Sequence, residues 1–353
     1  MENAEAVHEN FKALRSISDA EKRLTDWDPD DNSEDLPTFI INSISNGEKQ
    51  SELRIIGNSS QYHNLASEFA RKSLYRYAAE VARIGVIQYK YNVDLLADLI
   101  KYSSQYQAWD ASKKAYDRLR EISFEKWTWR CFTFSIDYLF DLIEVSELDQ
   151  TNTIIKEIEL LIAAFKNLKD ERAWVAEADL NLKKGKRKQA IASLKNGIKN
   201  VVVSPQCCIK LGDLLLEDGI YDEVVKYASI GIRATAQDQP TASVAYLFYI
   251  SALAKDARIH KEAQEEKMAS CDSDGIGFQN ISAVKDALLD YSTAKRLFMG
   301  TRNTYQNNID QRVSILKAKS GMESIDEENS FNKMIAESLV EKMLQKNSDG
   351  DIG

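Results

Sequence analysis

Only four prolines, Pro29, Pro37, Pro205 and Pro240, interrupt 353 residues, so long stretches lack the residue that breaks helices. Histidine is scarcer: His8, His63 and His260 stand far apart, and none sits in HxxxH or HExxH spacing, which removes the usual basis for a zinc hydrolase. Four cysteines, Cys131, Cys207, Cys208 and Cys271, show neither metal-ligand spacing nor a paired framework, as expected in a reducing compartment. Vicinal Cys207 and Cys208 raise the question of thiol chemistry, but Cys208 falls at the packing position equivalent to Trp174 and reads as a small core hydrophobe. No apolar run approaches the roughly 18 residues that span a bilayer. The opening MENAEAVHEN does not have the form of a secretory signal. Phosphate-cradling glycine loops, a GxSxG elbow and the kinase motifs are missing. Asp272, Asp274 and Gly275 begin like a calcium loop, but Lys285 falls near the place where a bidentate acid belongs, so the segment reads as a turn. These absences predict a cytoplasmic, non-enzymatic protein with no catalytic residue, no metal and no cofactor.

Positive charge is also in short supply, with 46 Lys and Arg against 55 Asp and Glu and a net charge of -9. That balance disfavours nonspecific binding to nucleic acid or an anionic membrane and favours a basic or amphipathic partner segment. The exception is a patch of Lys183, Lys184, Lys186, Arg187 and Lys188. It is either a solvated hairpin tip or a local contact for phosphate or RNA.

What the chain does contain is repetition. Residues 171–204 and 205–238 are two copies of a 34-residue unit, placing Ala178 over Gly212, Gly185 over Gly219, Leu194 over Ala228 and Gly197 over Gly231. This period points to stacked helical hairpins. Small residues at the eighth, twentieth and twenty-seventh positions fall where two antiparallel helices cross. Glycine at the fifteenth ends the first helix because it enters the left-handed conformation cheaply. A unit starting at Ser59 continues the register with Tyr62, Leu65, Ala66, Phe69, Tyr75, Ala78, Ala82 and Gly85; one starting at Val93 gives Leu96, Leu99, Trp109, Ser112 and Tyr116. From Trp127 to Asp170 is 44 residues, so the intervening unit needs longer helices or an insertion. A further unit fits from Val244, with Ser251 and Ala263 in small positions and His260 in the aromatic one.

This pattern resembles the tetratricopeptide repeat (TPR) family, in which a large residue at position 4 and an aromatic at position 17 fill the hairpin, as Trp174 and Tyr221 do here. The resemblance spans about 59 to 271 and implies an all-α fold, a right-handed α-solenoid of stacked antiparallel helix hairpins. Around it the sequence predicts an N-terminal helix within 1–24 and an acidic linker and lead-in over 25–58. C-terminal capping helices follow over 272–346, and 347–353 form a frayed tail. Trp27, in the acidic stretch, is either a docking motif or an aromatic tucked against the first repeat.

The resemblance also implies an inner groove lined by positions 2, 5, 9, 12 and 13 of each unit. These are Arg172, Val175, Asp179, Leu182 and Lys183 in one copy and Gln206, Ile209, Asp213, Leu216 and Glu217 in the next, with His63 at position 5 of the first unit. Chaperone-binding members carry Lys and Asn at such positions to clamp a C-terminal carboxylate. Here position 9 is Asp twice and position 5 is aliphatic, which favours a basic or amphipathic peptide or helix. The two acids either meet such a partner or merely cap and solvate their helices. The implied function is a protein interaction scaffold or adaptor. Two alternatives remain: a peptide-responsive regulator of an enzyme or transcription factor, and a nucleic-acid-associated subunit of a larger complex.

Overall fold

A computed structural model describes residues 14, 16–27, 35–45, 57–235, 242–270, 280–298 and 305–321. Among the described residues there is no strand, and no helix is long and apolar enough to cross a membrane. The chain divides into two compact units, 1–176 and 177–353.

The first unit opens with α1 (Ile17–Asp26) and α2 (Asp35–Ser45). Three hairpins follow: α3 (Ser59–Arg71) with α4 (Tyr75–Gln88), α5 (Val93–Gln105) with α6 (Trp109–Arg120), and α7 (Trp129–Val145) with α8 (Leu148–Phe165). Sequence-adjacent helices pack together. In addition α1 packs on α3, α3 on α5 and α5 on α7, so the first helices of the hairpins form one layer. Side-chain caps start several of them: Ser16 accepts from the Asp19 amide, Asn58 and Gln61 form a capping box, and Asn92 accepts from Leu95. Tyr62, Leu65, Ala66 and Phe69 of α3 are fully buried against the small residues Ala78, Ala82 and Gly85 of α4.

Helix α9 (Glu171–Lys183) runs from the first unit into the second. The second unit continues with α10 (Arg187–Asn200), α11 (Pro205–Glu217) and α12 (Tyr221–Thr235). It ends with α13 (Ala242–Ser270), α14 (Ile281–Phe298) and α15 (Tyr305–Ser320). Here too neighbours in sequence are neighbours in space, and α11 packs on α13. The small-residue rule is visible at Gly231, where a Cβ would lie 2.8 Å from Leu247 Cδ1 and 2.9 Å from Cys208 Cβ.

The turn inside four of the hairpins has a physical signature broader than its glycine, whereas the α7–α8 turn, at Ser146 and Glu147, keeps negative φ. Gly185 and Gly219 have φ of 69° and 71°; at the same fifteenth position of the two earlier units Ser73 and Gln107 have φ of 61° and 64°. The left-handed turn is therefore kept where glycine is not, at a local conformational cost.

Three expectations are corrected. Within the stretch 25–58, read as acidic linker and lead-in, Asp35–Ser45 is a helix; Leu36, Ile40 and Ile44 recur every four residues, are buried, and α2 packs on α4. Pro37 lies in its first turn, where a missing amide costs no helical hydrogen bond. The unit read from Val244 is not a hairpin of its own. Its turn position falls in the run Lys255–Asp256–Ala257–Arg258, which contains neither Gly nor Pro, and the helix continues through 29 residues. Helix α14, assigned to the terminal cap, is instead the helix that pairs with α13. The 44-residue unit is accommodated by longer helices, 17 and 18 residues in α7 and α8 against 12 to 14 in α3 to α6. The part of the predicted capping helices over 322–346, the tail over 347–353 and Cys271 lie outside the described residues, as does the part of the N-terminal helix before residue 14.

Candidate interaction surface

In the first unit the groove position 63 turns out to be the end of a polar chain linking three successive first helices. His63 Nδ1 on α3 is 2.6 Å from Asp98 Oδ2 on α5, and the other Asp98 oxygen accepts from the Arg130 guanidinium on α7. Asp98 is fully buried, whereas His63 and Arg130 keep 28% and 20% of their side chains exposed. A buried carboxylate is tolerable because two donors answer it. Ser59, Ser60, His63, Asn92, Asp94 and Arg130 line a small open cavity of about 110 Å³ at this edge.

Arg130 also begins a run of cations and rings. Its guanidinium carbon is 5.7 Å from the Trp129 ring and 5.2 Å from the Phe134 ring. The other cation on Phe134 is Lys101 of α5, with Nζ 4.6 Å from the ring centroid. Arg172 of α9 stacks on Trp129 at 3.5 Å. Arg172 is itself held by Asp170, which accepts from Nε at 2.8 Å and from Nη2 at 2.5 Å. Trp129 stays 38% exposed. Neither Asp98, Lys101, Trp129 nor Arg130 was singled out from sequence. Setting the first positions of α5 and α7 at Val93 and Trp129 puts Lys101 at position 9 and Arg130 at position 2, so the signal was there once the long third unit had a register.

On the remaining first helices the predicted residues are spread as follows. Arg172, Val175 and Asp179 are half-buried along α9, with Lys183 exposed at its end. On α11 Gln206 and Glu217 are exposed, and Ile209 and Asp213 half-buried. The two position-9 acids have partners within the second unit. Lys210 Nζ lies 2.5 Å from Asp179, and the Tyr246 hydroxyl of α13 donates to Asp213 at 3.1 Å. Burial pushes the Asp213 carboxyl up from its ordinary value.

Arg187, placed in the basic patch, bonds the Leu214 carbonyl at 2.7 Å and lies 2.9 Å from both Glu217 and Asp218. It closes the C-terminal end of α11, where the helix dipole favours a cation. Lys186 and Lys188 are exposed and Lys184 is half-buried. Trp27, at the end of α1, takes Lys72 Nζ onto its carbonyl at 2.5 Å, with the same ammonium 5.9 Å from its ring.

A 34-residue period, two helices per period and a left-handed residue at four of the internal turns, Ser73, Gln107, Gly185 and Gly219, are now all in place. The fold is a TPR-like helical repeat. Stacked helical repeats build extended binding surfaces. No protein-family model and no curated protein matches the sequence. Among solved structures the chain is similar to a thermophilic TPR protein of Thermus thermophilus. Identity is 13%, 56% of this chain and 98% of that chain are covered, and the TM-score is 0.43.

Proposed function

We propose that this TPR-like protein is a non-enzymatic scaffold or adaptor that holds a peptide or helix of a partner protein against the first helices of its hairpins. The single observation that carries this reading is the division of labour between helix layers. Within each unit first helices pack side by side, α3, α5 and α7 in one and α11 and α13 in the other, and leave His63 and Trp129, and Gln206 and Ile209, partly or fully exposed, while the crossings with second helices are filled by small buried residues. A layer that presents alternating polar and apolar side chains at fixed spacing suits an amphipathic segment. Asp179 is paired with Lys210, whereas Asp213 accepts from the neutral Tyr246 hydroxyl, which does not cancel its charge, so Asp213 is the better candidate to meet a basic group of the partner.

The experiment is photo-cross-linking in the native host. Benzoylphenylalanine in place of Val175, Gln206 or Ile209, on first helices, captures a partner protein; the same group in place of Lys188 or Lys226, on second helices, captures none. The reverse pattern, or capture at every position alike, overturns the proposal.

A further inference from the structure

The run of cations and rings in the first unit is more specific than a general docking layer. No ion pair to Lys101 is found among the described residues, and Asp98 and Asp137 act on it only through the field. Asp98 is committed to Arg130 and His63. Lys101 instead shares the Phe134 ring with a second cation, Arg130. Each cation is attracted to the face of the ring, but two like charges at one ring repel each other. Burial, then the neighbouring Arg130, holds the Lys101 ammonium below its usual pKa, with Asp98 and Asp137 acting the other way. A half-buried ammonium beside a second cation carries an electrostatic cost that a nearby anion would relieve.

Resting on the scaffold reading above, we propose that the α5–α7–α9 face of the first unit binds an acidic segment of a partner protein. A side-chain carboxylate of the partner engages Lys101 beside Arg130, and an apolar or aromatic neighbour rests on Trp129 between Arg130 and Arg172. The rings hold the cations in place before the partner arrives, so little ordering is spent at binding. Charge complementarity chooses the occupant: Arg130 is paired with Asp98 and Arg172 with Asp170, which leaves the Lys101 ammonium as the uncompensated charge of this face on a chain whose net charge is -9, so a carboxylate is drawn to Lys101 and repelled elsewhere. The determinant is a side-chain carboxylate, so a free chain terminus is not needed.

The test uses the full chain and one substitution, Lys101→Met, which keeps the apolar stem and removes the charge without orphaning a carboxylate. Thermal unfolding and the affinity for a fluorescein-labelled Asp/Glu/Phe peptide with an amidated C-terminus are measured together. The substitution is expected to raise the melting temperature, because a repulsion is removed, and to weaken peptide binding by about tenfold. Wild-type affinity is expected to fall with added salt and to vanish for the Asn/Gln version of the peptide. A melting temperature that falls, peptide binding that is absent in the wild type, or binding that is unchanged in Lys101→Met overturns the proposal. So does preference for a basic peptide or a single-stranded oligonucleotide. None of these results touches the cross-linking pattern, which judges the scaffold reading separately.

Discussion

Replacing Gly231 with alanine puts a methyl group where α11, α12 and α13 meet. The new Cβ would lie 2.8 Å from Leu247 Cδ1, 2.9 Å from Cys208 Cβ and 3.3 Å from Cys208 Sγ, against an optimum of about 3.5 to 4.0 Å between carbons. Leu247 can swing its terminal methyl away. Cys208 Cβ is bonded to the α11 backbone and fully buried, so relief there means separating two helices by more than about half an ångström. Overpacking of this kind costs roughly 1 to 3 kcal/mol, and the helix-propensity gain of alanine over glycine returns about 1 kcal/mol. Because Cys208 Cβ moves only with its helix, the cost lies in the upper half of that range, about 2 to 3 kcal/mol, and the expected net effect is a loss of about 1 to 2 kcal/mol.

Gly212→Ala is the control, since its only contact under 3 Å is Ile250 Cδ1 at 2.6 Å, the far end of a side chain that can turn. There the propensity gain offsets most of the strain, and stability is expected to change by less than about 0.5 kcal/mol. Urea unfolding followed by circular dichroism at 222 nm reads both variants under one set of conditions. If Gly231→Ala is as stable as the wild type, or if the two glycines respond alike, the close helix crossing deduced from the repeat is wrong.

Two other predictions concern the turns and the thiols. Ser73→Gly and Gln107→Gly remove a left-handed conformation from residues with a Cβ, so each is expected to raise stability by about 0.5 to 1 kcal/mol; denaturation midpoints that fall would show that the hydroxyl or amide matters more than the backbone. In a Cys271→Ser background the three buried thiols, Cys131, Cys207 and Cys208, are expected to resist Ellman's reagent at pH 8 until the chain unfolds. Burial pushes Cys131 up to about 11. Rapid reaction of the native protein would contradict their placement in the core.

The parts of this architecture that could be read from sequence were those fixed by local rules. A glycine at Gly185 and Gly219, and small residues at 34-residue spacing, dictate a turn and a helix crossing whatever the neighbours are. Helix α2 escaped because its stripe of Leu36, Ile40 and Ile44 is short and follows an acidic run, and only packing on α4 makes the pattern decisive. Helix α13 was divided in two because the repeat period was extended to a place where no residue stops a helix. The interaction surface was the least legible. Asp179 and Asp213 stand at groove positions, but Lys210 and Tyr246, which engage them, come from later helices, and such pairings exist only after stacking. Lys101 and Arg130 were hidden for the same reason, since two cations on one ring are brought together by the α5–α7 contact and by nothing in the local sequence.

The central claim is that first helices, and not second helices, meet the partner. Hydrogen–deuterium exchange of the full chain, alone and bound to the partner captured by cross-linking, tests it directly. Slowed exchange is expected in α3, α5, α7, α9 and α11, with α4, α6, α10 and α12 unchanged. Protection confined to the second helices or to the turns between hairpins would contradict it.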